Sequence, residues 1–263
     1  LRQFLIPLWN SYVFLATYAN IYEWKPDGRR PKSDIDRWIL SLLQKLIQDV
    51  EKGMDGYDLS QAVDPFVSFI DQLTNWYIRR CRSRFWSDEA TDDRAEAFQT
   101  LYTVLFKLSK VAAPFIPFMS DAIYQDLRAE KDPISVHLCD FPKVGARDET
   151  LEGEMASVQV AVSMGHALRK EHKLKVRQPL PKVHLISGDK GALKLLKGQE
   201  HLILDELNVK EVEYHSDEKD FVEVSIKANF RTLGRRAGPL MKQVQTAILK
   251  LEPSALDGGS YDL

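Results

Sequence analysis

Apolar residues recur every three or four positions through most of the first half of the chain, the period of helices that bury one face. A first helix runs to about Ile21 and gives way to a turn-rich segment, Lys25-Pro26-Asp27-Gly28-Arg29-Arg30-Pro31. Ser33 or Asp34 caps a second helix, in which Ile35, Trp38, Ile39, Leu42, Leu43, Leu46 and Val50 share a face. Gly53 and Gly56 end it. A third helix covers about 58–86, with Val63, Phe66, Ile70, Leu73, Tyr77 and Cys81 in one stripe. The acidic residues Asp88, Glu89, Asp92 and Asp93 then form a loop and the start of a fourth helix over 93–113, where the helix dipole favours negative charge. Pro114 and Pro117 interrupt the pattern, and a fifth helix covers 118–127. Up to Pro142 these elements predict an antiparallel helical bundle.

Beyond Pro142 the period changes. Residues 152–171 remain helical, 182–186 read as a strand, and 193–207 read as a helix broken at Gly198. Segments 209–214 and 221–226 alternate apolar and polar residues as half-buried strands do, separated by a polar loop. A last helix begins near Arg231 and continues past Gly238-Pro239 to about Leu251. The expected fold is therefore mainly α: a helical bundle over residues 1–147, followed by a small mixed α/β module over 148–263. The boundary falls near 143–150.

Composition adds limits. In 263 residues, 44% are hydrophobic and 28% charged, ordinary values for a globular protein. The formal net charge is only −2, so any surface for nucleic acid must be made by local segregation of charge. Cys81 and Cys139 stand far apart, which argues against a disulfide scaffold and fits a reducing, cytoplasmic setting. The six histidines show no metal-ligand spacing along the chain, and no metal is expected. No apolar run reaches membrane-spanning length and no signal peptide is visible, so no membrane partner is expected. The chain opens at Leu1 inside a helical pattern and closes after a Gly-Gly-Ser loop, which reads as a piece of a longer protein.

The densest chemistry lies at the end of the third helix, Trp76-Tyr77-Ile78-Arg79-Arg80-Cys81-Arg82-Ser83-Arg84-Phe85-Trp86. Four arginines in six positions, interleaved with aromatic rings, offer bidentate donors for phosphate and flat faces for unstacked bases. On a helical wheel Arg79 and Arg82 fall on the solvent face. Trp76, Arg80 and Arg84 border the apolar stripe, where arginines near a helix C-terminus also serve as structural ion pairs. Isolated surface ion pairs contribute too little to explain the clustering, and RNA contact is the better account of Arg79 and Arg82. A second basic zone, Arg169 to Arg177, contributes Lys173, Lys175 and Arg177, and reads equally well as a solvated helix end. A third zone holds Lys227, Arg231, Arg235, Arg236, Lys242 and Lys250, with Gly234 and Gly238 thinning the side chains beside it. The candidate RNA contacts are thus Trp76, Arg79, Arg80, Arg82, Arg84, Trp86, Lys173, Lys175, Arg177, Arg231, Arg235 and Arg236. Neither a phosphate-binding loop nor a dinucleotide fingerprint is present, and no nucleophile constellation stands out, so no catalytic residue is assigned.

The Trp76 to Trp86 run closely resembles a hallmark of isoleucyl-tRNA synthetases in their helical anticodon-binding domain. Pro7 to Phe14 looks like the helix that follows the catalytic core of these class I enzymes. Pro114 to Phe118 and Ser135 to Pro142 resemble the family's bundle-closing segments. Lys175 to Leu180, Glu206 to Lys210 and Lys227 to Gly234 resemble its C-terminal module, so the likeness covers nearly the whole chain. The resemblance implies a region that binds the anticodon arm of isoleucine tRNA and positions it for ATP-dependent aminoacylation. The parent enzyme would be a monomer in the cytoplasm. Its catalytic domain, with ATP and magnesium, and its editing domain would lie upstream, since the HIGH and KMSKS signatures are absent here. No cofactor is implied for this region. The cysteine-ligated zinc of some bacterial members has no counterpart here, which points to the branch shared with eukaryotes and other bacteria. Alternatives are the corresponding region of a valyl-, leucyl- or methionyl-tRNA synthetase, or a helical scaffold whose basic patches meet acidic proteins.

Overall fold

The computed structural model describes residues 2–86, 91–216 and 238–248. The strand expected at 221–226 and the basic residues Lys227, Arg231, Arg235, Arg236 and Lys250 lie outside these. The chain divides into two compact units, residues 1–164 and 165–263.

Among the described residues, the regular elements of the first unit before its last helix are all helices. Helix α1 (Leu5–Ile21) leads through an extended segment to α2 (Asp34–Asp55), which carries Asp34 and Asp36 in its first turn. Next comes α3 (Leu59–Asp71), capped by Asp58, whose side chain accepts from the Gln61 backbone N–H at 2.9 Å. The chain then winds as a π-helix over Gln72–Ile78 and returns to α-geometry in α4 (Arg79–Phe85). Asp71 and Arg79, at the two junctions, are both helical, so α3, the π-segment and α4 form one rod, as the continuous pattern over 58–86 predicts. Helix α5 (Asp92–Ala112) is capped by the Thr91 hydroxyl, and α6 (Pro117–Leu127) starts on a proline at its first turn.

The π-winding has a cause in the sequence. Leu73, Tyr77, Cys81 and Phe85 are all fully buried and lie four residues apart. At 3.6 residues per turn each such step drifts by about 40° around the helix. A segment wound more loosely cancels part of that drift and keeps all four in the core. Val63, expected in the same stripe, is instead 41% exposed, while Ala62 is buried. Ala62 packs where α3 crosses the end of α2: a Cβ on Gly53 would meet the Ala62 nitrogen at 2.6 Å and its Cα at 2.7 Å. Gly53 therefore permits a close crossing, and α2 itself continues to Asp55.

Helix α7 (Glu149–Glu171) begins within the first unit and ends in the second. Its early turns bury Leu151, Met155, Val158 and Val162, and the segment before it is laced to α2. The Gly145 N–H donates to Gln44 Oε1 at 2.7 Å and the Asp148 N–H to Ser41 Oγ at 2.7 Å. Arg147 Nη2 pairs with Glu152 Oε2 at 2.6 Å, and Glu152 accepts from Ser41 as well. Burial works against the ionised Glu152, but Arg147 and Ser41 outweigh it and hold the carboxyl below its ordinary range. The compact units divide inside α7 rather than at the 147/148 boundary expected from the sequence, and the residues on both sides of Ala146 share the core and hydrogen bonds of the first unit.

In the second unit β1 (Leu180–Ile186) and β2 (Val209–His215) pair in parallel, joined by α8 (Lys190–Gly198) and α9 (Glu200–Leu207). Leu193, Leu196, Leu202, Ile203 and Leu207 are buried there. Asn208 ends α9 in the left-handed conformation (φ 48°), and its side chain donates to the Val176 carbonyl at 2.9 Å. Helix α10 (Met241–Ile248) falls within the last helix read from the sequence. No helix among the described residues is long and apolar enough to cross a membrane.

Candidate nucleic-acid interface

The arginine cluster starts where the π-segment ends, and the rod sorts its members into different environments. Arg84 turns inward, its side chain only 13% exposed. Nη2 and Nη1 straddle the Asp36 carboxylate at 2.7 and 3.0 Å, a bidentate pair. Nε donates to Asp93 Oδ2 at 2.9 Å, Nη2 also reaches the Asp93 carbonyl at 3.1 Å, and Nη1 reaches Cys81 Sγ at 3.5 Å. These contacts occupy every N–H of the guanidinium.

Asp36 is completely buried and also accepts from the Tyr77 hydroxyl at 2.6 Å. Burial raises the Tyr77 hydroxyl well above its usual range, and the neighbouring Asp36 charge adds to this. Burial would lower the Arg84 pKa, yet Asp36 and Asp93 outweigh it and fix the positive charge. Burial likewise pushes the Cys81 thiol up to about 12, against the pull of Arg84. Arg84, one of the expected RNA contacts, ties the rod to α2 and α5, and all of its donors are engaged within the unit.

Arg79 and Arg82 are exposed, as the wheel predicts. Arg79 Nε donates to the Asn75 carbonyl at 2.7 Å, which folds its guanidinium back to 5.8 Å from the centre of the Trp76 ring. That distance is within cation–π range. Trp76 and Arg80 are half-buried at the edge of the rod. Trp86, 50% exposed, closes the cluster with its ring 6.3 Å from that of Tyr18. The first unit thus presents two exposed arginines between two partly accessible indoles. Such a surface can pair with phosphate oxygens and stack on a base.

In the second unit the basic run from Arg169 divides. Arg169 is buried: Nη2 donates to the Leu207 carbonyl at 2.6 Å and Nη1 to the Lys175 carbonyl at 3.0 Å. It thereby anchors the segment after α7 to the end of α9. Lys173, Lys175 and Arg177 are exposed on that segment, with Lys173 in the left-handed region (φ 55°). The remaining candidates, Arg231, Arg235 and Arg236, lie outside the described residues.

Two groupings escape a reading along the chain. Asp36 looks like an ordinary acidic residue in a helix's first turn, and only packing reveals it as the buried acceptor for Arg84 and Tyr77. His184, Glu213 and His215 are brought together on the paired strands, their nearest ligand atoms all within 4.8 Å of one another.

Residues 36–184, more than half the chain, match the family described as the anticodon-binding domain of tRNA ligase. Over 252 residues (94% of the chain) it is 59% identical to the isoleucine–tRNA ligase of Protochlamydia amoebophila. It is 49% identical over 262 residues (98%) to that of Chlamydia pneumoniae, and 45% identical over 273 aligned positions (97%) to that of Treponema denticola. The alignments cover 24%, 25% and 25% of those relatives, so the chain spans about a quarter of their length. On the helical bundle, the arginine-bearing rod and the extent of that match, the chain belongs to the family of anticodon-binding domains of tRNA ligases.

Proposed function

We propose that this chain is the anticodon-binding region of an isoleucine–tRNA ligase and grips the anticodon arm of isoleucine tRNA with Arg79 and Arg82, flanked by Trp76 and Trp86. The observation that carries this reading is the sorting of the cluster. Arg84 is consumed by a buried ion pair, while Arg79 and Arg82 are held at the surface beside aromatic faces that the first unit does not fully bury. Arg80 borders the same surface. Lys173, Lys175 and Arg177, with Arg231, Arg235 and Arg236, supply further phosphate contacts. The specificity for isoleucine tRNA is supported by the relatives' shared name, isoleucine–tRNA ligase. In the parent protein, a cytoplasmic monomer, upstream catalytic and editing domains use ATP and magnesium, and this region positions the tRNA for them.

The test is binding of isoleucine tRNA across a salt series. Contact with several phosphates gives a steep linear log-log dependence, and each lost phosphate contact lowers the slope by about one. Arg79→Ala with Arg82→Ala should weaken binding and flatten the slope with little change in melting temperature. Normal binding by a folded double variant would overturn the assignment. Preference for a valine, leucine or methionine tRNA would move the specificity elsewhere, and preference for an acidic protein would favour a scaffold.

A further inference from the structure

The parallel register of the second unit's strands sets His184 opposite Glu213 and Ile186 opposite His215. Residues two apart on a strand point to one face, so His184, Glu213 and His215 share a face of the pair. His184 Nδ1 lies 3.1 Å from Glu213 Oε2 and 3.1 Å from His215 Nε2, and His215 Nε2 lies 3.6 Å from the same carboxylate oxygen. Three lone-pair donors therefore form a nearly equilateral triangle. A single proton can bridge only one edge of it. A cation at the centre satisfies all three.

The spacing suits a particular class of cation. Zinc binds imidazole nitrogen at about 2.0–2.1 Å and carboxylate oxygen at about 2.0–2.2 Å, which in a tetrahedral site puts neighbouring ligand atoms about 3.4 Å apart. The three edges bracket that value. Two imidazoles and one carboxylate favour first-row divalent metals such as zinc, cobalt or nickel over magnesium or calcium, which require oxygen-rich shells.

The surroundings prepare the carboxylate for this role. Lys182, on the same face of β1, donates to Oε1 of Glu213 and leaves Oε2 turned toward the imidazoles. The ammonium adds positive charge nearby and lowers the affinity for a cation, while orienting the ligand that receives it. His184 is exposed and Glu213 and His215 are half-buried, so water can reach a cation held there.

We infer that His184 Nδ1, Glu213 Oε2 and His215 Nε2 form a binding site for one divalent transition-metal ion, zinc by coordination preference, which clamps β1 to β2. The inference is independent of the tRNA reading.

Calorimetric titration of the full tag-free chain with zinc chloride should show one site per chain. His184→Gln and Glu213→Gln should each weaken binding at least about tenfold, since even outer-shell partners of metal ligands are worth 10–100-fold. His172→Gln, at an exposed histidine outside the cluster, should leave it unchanged. Zinc should also shift the ring resonances of His184 and His215 in the unaltered chain, a readout that needs no variant. The absence of saturable binding, unshifted ring resonances, or binding indifferent to both cluster substitutions would overturn the site.

Discussion

Removing the Arg84 guanidinium should destabilise the first unit in a way that loss of its exposed neighbours does not. Arg84→Met keeps much of the aliphatic stem but takes away the bidentate partner of Asp36, a residue with no solvent exposure. The Tyr77 hydroxyl remains, so Asp36 keeps one hydrogen bond against a lost charge pair. Breaking a buried pair from one side costs about 3–5 kcal/mol, because the other charge stays buried and uncompensated. Since the Arg84 side chain is 13% exposed, water reaches the vacated edge, and the lower end, about 3 kcal/mol, is expected. For a unit of this size that lowers the melting temperature by about 6–12 °C. Arg79→Ala with Arg82→Ala should stay within about 0.5 kcal/mol of the parent. Asp36→Asn added to Arg84→Met should recover part of the loss, because the uncompensated charge is gone, and a double-mutant cycle would measure the coupling. Thermal melts followed by near-ultraviolet circular dichroism, which senses the packing of Tyr77 and Trp38, would read these variants, Asp36→Asn alone and the parent. If Arg84→Met melts with the parent while the Arg79/Arg82 variant melts early, the division of the cluster into structural and surface members is wrong.

Truncation probes the unit boundary: a chain ending after Ala146 should bind hydrophobic dye and melt broadly, because Leu151, Met155 and Val158 are removed from the core, whereas one ending after Met164 should melt cooperatively. Gly53→Ala should lower stability by about 1–3 kcal/mol in urea denaturation, since the new Cβ meets Ala62 backbone and no side chain can swing aside. Alkali should weaken the fold: the folded chain keeps its protons on Cys81 and Tyr77 to higher pH than the unfolded chain does, so stability falls as pH rises from about 9 toward 12. Urea midpoints at about pH 8 and about pH 11 should show the loss, and Cys81→Ala should reduce it.

The helices were legible in the chain because their determinants are local. A 3.6-residue period, the Asp58 and Thr91 caps and the proline at the start of α6 specify elements without reference to distant residues. The run of four-residue steps from Leu73 to Phe85 even contains the reason for the π-winding, although a wheel of fixed pitch passes over it. The solvent-facing placement of Arg79 and Arg82 was legible for the same reason. The fate of Arg84 was not. A wheel puts it at the edge of a stripe, and only packing brings up Asp36, 48 residues earlier, to close on its guanidinium. The expected boundary and the division of the compact units differ because a change of period marks where elements change, whereas a compact unit ends where burial ends, and the buried face of α7 runs past Glu152. His184 and His215 show no ligand spacing along the chain, being 31 residues apart. Parallel pairing across two intervening helices puts them within 3.1 Å, a proximity that strand register decides and periodicity cannot express.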